Sequence, residues 1–185
     1  MRALDLSTGF DVSDPDAWED VDGAEFAFLN AGVGGSGSDL AGYRRMLGAN
    51  VDGVVFGVRR MEQVMAPGGS IVATASLAGL MPMPADPIYT LTKHAVVGYV
   101  RAMAPHLEER GIRINAVCPG FVDTPIVTPE LREWIVSEGI PLMQPEQVAE
   151  AVLVAARSGD SGQAWVVQPG REPLRYEFRG VPGPR

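Results

Sequence analysis

Tyr89 and Lys93 are the residues of this sequence whose types and spacing most directly suggest chemistry. They lie four residues apart in a segment with helical periodicity, and side chains four apart project from the same face of a helix. A phenol with an ordinary pKa of about 10 is protonated at neutral pH, and lowering that pKa to about 7 requires roughly 4 kcal/mol of preference for the phenolate. A desolvated lysine cation could supply much of that preference, so the pair could form an acid/base centre.

The pair alone is a weak signal, because Tyr and Lys four apart also occur by chance on solvated helices. Two other polar residues could complete a site. Ser76 directly follows a predicted strand, and Asn50 lies in the predicted helix before that strand. Each also has a plain structural interpretation, since Ser76 could be a strand-end turn residue and Asn50 could cap or bend its helix.

A glycine-rich stretch, G-V-G-G-S-G at residues 32–37, matches the G-x-G-x-x-G pattern of dinucleotide-binding turns, and Asp52 follows it. In that mechanism the acidic residue ends the next strand, where it can reach a ribose. Asp52 falls within a helical pattern instead. We therefore interpret the stretch as a flexible connection and not as a cofactor fingerprint.

Short β-type segments alternate with longer helical ones along the chain, which is typical of parallel α/β proteins. Runs with β-branched or aromatic residues, bounded by Gly, Asn or Pro, predict four parallel strands: Ala24 to Leu29, Ser70 to Ala75, Arg113 to Cys118 and Ala164 to Val167. Two weaker strand candidates precede them and lead to a predicted helix start: Arg2 to Leu6, Gly9 to Val12, then Ser13-Asp14-Pro15.

Three segments have the apolar spacing of helices. The first extends from Leu40 to Met65 with apolar residues three or four apart. The second begins at Asp86-Pro87, and Pro105 is expected to kink or end it. The third runs from Pro145 to about Arg157. Together with the strands, these segments predict an α/β fold.

Composition narrows the functional classes. The 185 residues fit one domain, with a core at 1–170 and a proline-containing tail at 171–185 that could be loose or could cover a neighbouring subunit. A formal net charge of −8 disfavours nucleic acid or an acidic membrane surface as a partner. No apolar run approaches the roughly 20 residues that cross a bilayer, and the first residues do not resemble a secretory signal. We expect a cytoplasmic protein that binds neither nucleic acid nor membrane.

The remaining reactive residue types predict no second site. Cys118 is the only cysteine and lies within a predicted strand, so we interpret it as a packing residue. His94 and His106 have no cluster of cysteines or carboxylates to join them, so no metal site is predicted.

Five motifs follow one another in a specific order. They are N-A-G at 30–32, N-V-D-G at 50–53, Ser76 after the next strand, Y-x-x-x-K at 89–93 and N-A-V-C-P-G at 115–120. In these motifs, and over nearly the whole chain, the sequence resembles the short-chain dehydrogenase/reductase family. The resemblance implies a doubly wound parallel sheet of the Rossmann type and a nicotinamide cofactor.

The resemblance also implies roles for four residues. Tyr89 would be the acid/base that takes a proton from an alcohol or returns it to a carbonyl, while Lys93 would lower the pKa of Tyr89 and bond the nicotinamide ribose. Ser76 would hold the substrate oxygen. Asn50 would hold a water in a proton relay toward Lys93, so that the break it makes in its helix would be functional.

Further cofactor contacts implied by the resemblance lie at strand ends. One set would support the sheet beside the adenosine half of the cofactor, and another would hold the nicotinamide together with Tyr89 and Lys93. The first set is Asn30, Ala31 and Gly32, and the second is Pro119, Gly120 and Thr124. Thr124 precedes Pro125 and could be only a loop residue.

The sequence departs from the family at its beginning, because it lacks the T-G-x-x-x-G-x-G turn that normally binds the pyrophosphate. We therefore expect a chain shortened at its N-terminal end, through a gene start placed too late, a shortened form of the protein, or a relic whose first segment fills the vacant place. If Met1 to Leu6 matches the second family strand, Asp5 would hold the adenosine ribose and favour NAD over NADP, although Asp5 could equally be a turn residue. Asp11 and Val12 would then lie beside the adenine.

The substrate and the assembly are implied less directly. Phe121 to Gln144 corresponds to the family's substrate lid, and its apolar residues favour an apolar alcohol or ketone, although the lid could simply pack on its own sheet. A homodimer or homotetramer through the helices that carry Asn50 and Tyr89 is expected.

Two hypotheses for the function remain. One is an NAD-dependent oxidoreductase acting on a secondary alcohol or ketone, and the other is a non-catalytic scaffold without a complete cofactor site. A hydrolase is disfavoured, because Ser76 lacks the G-x-S-x-G frame.

Overall fold

A computed structural model of the chain describes residues 3–35 and 39–180. Its centre is a five-stranded sheet with the strand order β1-β2-β3-β4-β5, in which β1 to β4 are parallel and β5 is antiparallel to β4. The strands are β1 (Phe26–Leu29), β2 (Ser70–Thr74), β3 (Arg113–Pro119), β4 (Ala164–Val167) and β5 (Leu174–Arg175). The four predicted strands are confirmed, with small shifts at their ends.

Helices connect the parallel strands. They are α1 (Leu40–Leu47), α2 (Gly53–Val64), α3 (Pro87–Glu108), α4 (Pro129–Ser137) and α5 (Pro145–Arg157). A π-helical turn over Gly48–Asp52 joins α1 to α2, so the predicted helix over Leu40 to Met65 is interrupted. Helices α3, α4 and α5 each begin with proline, whose missing amide hydrogen would have no acceptor in the first turn of a helix.

The helices cover both faces of the sheet. On one face, Val58 of α2 and Val100 of α3 pack with Ile71 of β2 in the larger apolar cluster. On the other face, Ala155 of α5 packs with Val72 of β2. Consecutive residues of a strand point to opposite faces, so β2 contributes to both clusters. The protein has the predicted doubly wound parallel sheet.

The segment before β1 contains no strand among residues 3–25, so the two weak strand candidates are wrong where the structure describes them. Leu6–Thr8 instead forms a 3₁₀ turn capped by Asp5, whose carboxylate accepts from the Ser7 amide at 2.9 Å. Asp11 accepts from the Ser13 amide in the same way, at 2.9 Å. These local side-chain bonds compete with extended pairing.

The same segment packs against the core around Trp18. The predicted helix start at Ser13-Asp14-Pro15 leads only into a 3₁₀ turn over Asp16–Trp18. The Trp18 side chain is buried and donates from Nε1 to the Val12 carbonyl at 3.0 Å, and the Phe10 ring lies 5.0 Å from it in an edge-to-face arrangement. The segment is therefore anchored by aromatic packing.

Pro105 was expected to kink or end helix α3, and the second alternative is wrong, because the helix continues past it to Glu108. Ala104 and Leu107 on either side of it are buried, and this packing offsets the one backbone hydrogen bond that proline removes. Across the described ranges, no helix combines the length and the apolar character that a membrane span requires.

The described part of the C-terminal tail is ordered against the sheet. β5 pairs with β4, and beyond it the Phe178 ring lies 3.7 Å from the guanidinium carbon of Arg101 on α3. The tail thus covers its own chain over residues 171–180, while 181–185 lie outside the described residues.

Candidate active site

Lys93 is the only lysine of the sequence, and it is buried with 3% of its surface exposed. Its Nζ donates to the Thr74 carbonyl, at the carboxyl end of β2, over 2.9 Å. Desolvation lowers the pKa of Lys93 from 10.5 to about 8, against a smaller opposing effect of Cys118. At neutral pH the site therefore holds a cation that has little contact with water.

Tyr89 lies one helical turn before Lys93 on α3, and Lys93 Nζ is 5.5 Å from the centre of its ring. Burial raises the pKa of Tyr89, a hydrogen bond with the Ser76 side chain lowers it in part, and the Asp86 carboxylate raises it further. The net direction is upward, contrary to the expectation that Lys93 would make the phenol acidic. The physical reason is that burial outweighs the other influences, while the ammonium is directed to the Thr74 carbonyl.

Ser76 is a strand-end turn residue, and its side chain also lies near the phenol of Tyr89. As a turn residue, it caps the 3₁₀ turn Leu77–Gly79, and its Oγ accepts from the Ala78 amide at 3.1 Å. Its hydroxyl also interacts with Tyr89 and donates to the Pro119 carbonyl at 3.4 Å.

Asn50 lies in the π-helical turn and is fully buried. Its Oδ1 accepts from the Val33 amide at 2.7 Å, and its Nδ2 donates to the Val33 carbonyl at 2.9 Å and to Thr92 Oγ1 at 3.1 Å. Thr92 in turn donates to the Tyr89 carbonyl at 2.8 Å. The Asn50 side chain therefore connects the turn after β1 to the helix of Tyr89.

Gly32 lies where these groups meet. A Cβ atom at Gly32 would be 3.1 Å from Asn50 Oδ1 and 3.5 Å from Lys93 Nζ, so the absent side chain allows the amide and the ammonium to approach the backbone. Asn30, two residues earlier, accepts from Thr74 Oγ1 at 2.8 Å and joins the ends of β1 and β2. The N-A-G motif thus borders the site, with Ala31 exposed.

The glycine stretch that begins at Gly32 is described as far as Gly35, and residues 36 and 37 lie outside the described residues. A Cβ atom at Gly34 would be 3.2 Å from Cγ1 of Ile126, in the segment before α4. The Gly35 amide donates to Asp86 Oδ2 at 3.2 Å. Asp52 is exposed in the π-helical turn and ends no strand, as predicted. The described part of the stretch therefore contacts the segment before α4 and the cap of α3.

The residues expected to hold the nicotinamide follow β3. Pro119 is buried at the end of the strand, and the Gly120 amide donates to the Val167 carbonyl at 3.1 Å. Thr124 is partly buried, and its carbonyl accepts from the Val127 amide at 3.0 Å. The contact between Ser76 and Pro119 places this segment next to the phenol and the ammonium.

The segment after Gly120, which the resemblance assigns to the substrate lid, continues into helix α4. An ion pair between Asp123 and Arg132 fastens the helix to the end of β3, and it holds the pKa of Asp123 below its usual range. The rings of Phe121 and Trp134 meet edge to face with centroids 6.2 Å apart, and 48% of Trp134 is exposed. The lid therefore presents aromatic surface.

Asp5 and Asp11 were predicted to contact the adenosine half of the cofactor. In the structure their carboxylates bond only nearby residues, Ser7 and Ser13, and no described contact joins them to Tyr89 or Lys93. Hydrogen bonds from Ser7 and Ser13 lower the pKa values of the two exposed carboxyls. Val12 packs near the π-helical turn, since a Cβ atom at Gly53 would be 2.8 Å from Val12 Cγ2.

Two features of the site were not predicted from the sequence. They are the buried Thr92 and the second hydrogen bond of Asp86, which otherwise caps α3. Thr92 is fully buried between Asn50 and Tyr89. A polar residue three positions after Tyr89, on the same helical face, was the available signal. The second bond of Asp86, to Gly35, joins residues far apart in the sequence and left no local pattern.

The donors around Lys93 fit the nicotinamide ribose that the resemblance assigns to this residue. A lysine ammonium has three donors, and the structure shows one of those on Lys93 bonded to the Thr74 carbonyl. The glycine at 32 leaves space beside that ammonium. Among the residues that the structure describes, no group of three or more His, Cys, Asp or Glu could hold a metal ion.

Comparison with known proteins finds similarity to reductases and dehydrogenases. Residues 13–170 match a family model described as enoyl-(acyl carrier protein) reductase. The chain is 42% identical over 98 residues to 15-hydroxyprostaglandin dehydrogenase [NAD(+)] of Bos taurus, a match that covers 51% of this chain and 37% of the relative. It is 36% identical over 135 residues to cyclohexanol dehydrogenase of Acinetobacter sp. (strain SE19), covering 68% of this chain and 54% of that protein.

Among solved structures, a 3-oxoacyl-[acyl-carrier protein] reductase with bound NAD from Brucella melitensis superposes with a TM-score of 0.71 at 28% identity. The match covers 85% of this chain and 67% of that chain. Against the two curated dehydrogenases, the chain spans only about a third to a half of the length of each relative.

Proposed function

The chain belongs to the short-chain dehydrogenase/reductase family, and from that premise we propose that it carries the acid/base centre of an NAD-dependent oxidoreductase that interconverts a secondary alcohol and a ketone. The observation that carries the proposal is the grouping of Tyr89, Lys93 and Ser76 at one edge of the sheet. A buried cation lies 5.5 Å from the phenol ring, and the Ser76 side chain lies close enough to the phenol to lower its pKa in part. The similarity to two alcohol dehydrogenases supports the same reaction class.

In the proposed reaction, Tyr89 returns a proton to the carbonyl in reduction and takes it from the alcohol in oxidation. Ser76 donates a hydrogen bond to the substrate oxygen. Because burial raises the pKa of Tyr89, the phenol is protonated at neutral pH, which is the form that reduction requires. The Lys93 ammonium stabilises the phenolate that remains after proton transfer.

Lys93, Tyr89 and the segment from Pro119 to Thr124 would hold the nicotinamide end of the cofactor, and Asn30 to Gly32 would border its adenosine side. When bound, the nicotinamide supplies or accepts the hydride. The preference for NAD over NADP is supported by the bovine relative, whose name specifies NAD(+).

The substrate is proposed to be an apolar small molecule. Exposed apolar side chains on the lid and on the loop between Ser76 and Tyr89 support this class, since their burial by a ligand would be favourable. They are Met81, Ile126 and Trp134, with exposed fractions of 56%, 41% and 48%.

Cofactor binding by this chain is the first test. Titration with NADH, followed by nucleotide fluorescence, should saturate, and NADPH should bind more weakly. No binding at about 1 mM cofactor would favour the alternative of a non-catalytic scaffold. Small secondary alcohols and ketones should then be turned over by the wild-type chain and by Tyr176→Phe, an exposed matched control, but not by Tyr89→Phe. Unchanged turnover by Tyr89→Phe would exclude Tyr89 as the acid/base.

We also propose a cytoplasmic homo-oligomer that pairs through α2 and α3. On the outer side of α3, 48% of Leu91 is exposed. Leu91→Glu should therefore lower the molar mass measured by sedimentation equilibrium. Leu153→Glu alters a leucine of similar exposure on α5, on the opposite face of the sheet, and should leave a dimer through α3 intact. Equal masses for wild type and Leu91→Glu would contradict pairing through α3.

A further inference from the structure

Asp86 uses its two carboxylate oxygens on two different parts of the site. Oδ1 accepts from the Tyr89 amide at 2.9 Å and so caps α3. Oδ2 accepts from the Gly35 amide at 3.2 Å, across a separation of 51 residues in the sequence. One side chain therefore joins the glycine stretch to the first turn of the helix that carries Tyr89.

The part of the chain that Asp86 holds is itself part of the site. Gly32 lies against Asn50 Oδ1 and Lys93 Nζ, and Val33 is paired with the Asn50 amide. The turn at residues 32–35 is thus fixed near its beginning by Asn50 and at its end by Asp86. Loss of the second attachment would leave the turn held only at the Asn50 end.

We propose that Asp86 is a positioning residue, which fastens the turn at residues 32–35 to the Tyr89 helix and holds a negative charge at the first turn of that helix. The inference rests on the proposed role of Tyr89 as the acid/base. A cap alone would require only one oxygen and no charge, as at Ser76, whose hydroxyl caps its turn.

The charge effect follows from the groups around the phenol. Ser76 approaches it from the turn after β2, and Lys93 lies 5.5 Å from its ring on α3. Asp86 caps α3 three residues before the phenol, and Cys118 of β3 lies near Lys93. The Asp86 carboxylate raises the pKa of Tyr89, because a nearby negative charge disfavours the phenolate. Asp86 therefore helps to keep the phenol protonated and ready to donate.

Asp86→Asn removes the negative charge and the bond to the Gly35 amide but keeps the helix cap. The amide oxygen can still accept from the Tyr89 amide, but the amino group would face the Gly35 N–H, so donor would oppose donor. Asp39→Asn is the matched control. Asp39 caps α1 through the Gly42 amide at 2.7 Å and is not bonded to the described turn.

Two measurements on the chain without cofactor or substrate test the proposal. The first is the titration of Tyr89 by ¹³C-tyrosine NMR, where Tyr89→Phe assigns one of the four tyrosine signals. The midpoint should move to lower pH in Asp86→Asn and stay in place in Asp39→Asn. The second is amide hydrogen exchange at residues 32–35, which should be about two- to tenfold faster in Asp86→Asn, as expected for one lost hydrogen bond.

An unchanged Tyr89 midpoint, or unchanged exchange at Gly35, in folded Asp86→Asn would overturn the proposal. Asp86→Ser gives a second route if Asp86→Asn does not fold, because serine is a good cap but carries no charge and is too short to bond both amides. Neither measurement requires turnover. A failure to bind NADH would therefore bear on the proposed function, whereas a failure here would bear on Asp86 alone.

Discussion

Replacing Lys93 by methionine should make the protein more stable at neutral pH and less stable at high pH. Methionine has a similar length and no charge, so the substitution removes the buried ammonium without opening a large cavity. The pKa of Lys93 is lowered from 10.5 to about 8 by desolvation, so the charged form is disfavoured in the folded protein. At about 1.4 kcal/mol per pH unit, this difference corresponds to roughly 3 kcal/mol.

The sign of the pH dependence follows from proton binding. Below about pH 8, both the folded and the unfolded chain hold the proton on Lys93, and the folded state bears the whole desolvation cost. Between about pH 8 and 10.5, the folded state releases the proton while the unfolded state keeps it, so the free energy of unfolding rises with pH. Above pH 10.5 the cost is absent.

The variant also loses the hydrogen bond from Lys93 Nζ to the Thr74 carbonyl, which contributes about 1 kcal/mol. At pH 7, Lys93→Met should therefore be more stable than the wild type by about 2 kcal/mol. Near pH 10.5, it should be less stable by about 1 kcal/mol, because only the lost hydrogen bond remains. The difference changes sign within the window in which Lys93 titrates.

Urea unfolding at several pH values from 7 to 10.5 measures this difference directly. Arg110→Met removes an exposed cation just beyond α3, and its stability relative to the wild type should not vary with pH in this way. Because Lys93 is the only lysine, ¹⁵N-lysine NMR should also give one side-chain signal with a midpoint of about 8. A difference between Lys93→Met and wild type that stays constant with pH, or a lysine midpoint near 10.5, would refute the reasoning.

Three further predictions concern packing around the site. Thr92→Val should lower the free energy of unfolding in urea by about 1–3 kcal/mol, because it removes a buried acceptor for Asn50 Nδ2, and Thr92→Ser should restore most of it. Gly79→Ala should lower the melting temperature, since its Cβ would lie 2.6 Å from a carbonyl of α3. Gly98→Ala has open space and should stabilise α3 by about 1 kcal/mol, so equal melting temperatures for the two variants would contradict this reasoning. Cys118 is buried with its pKa raised to about 12, so iodoacetamide should alkylate it only in urea, and mass spectrometry showing rapid labelling of the folded chain would be inconsistent with that burial.

The parts of the fold that the sequence predicted well are those fixed by local chemistry. Helix α5 begins at Pro145 and ends at Arg157, as its proline and its apolar spacing indicate. The segment before β1 was predicted less well, because Asp5 and Asp11 form side-chain bonds to nearby amides that an apolar pattern does not contain. The helix past Pro105 was also missed, since the burial of its neighbours is a property of the assembled core.

The candidate site could be predicted from its motifs as far as which residues meet. Tyr89, Lys93, Ser76 and Asn50 lie together at one edge of the sheet, as the order of the motifs implied. The direction of the pKa of Tyr89 could not be predicted, because it depends on how deeply the phenol is buried and on a carboxylate that faces it.

The burial of the only lysine has a practical consequence for chemistry on the native molecule. Reagents that acylate lysine find no accessible side chain on the folded chain, since Lys93 is 3% exposed. Dyes or crosslinkers of that kind therefore leave the surface side chains unmodified. The appearance of one acylated lysine in a peptide digest would instead report that the centre of the fold has opened.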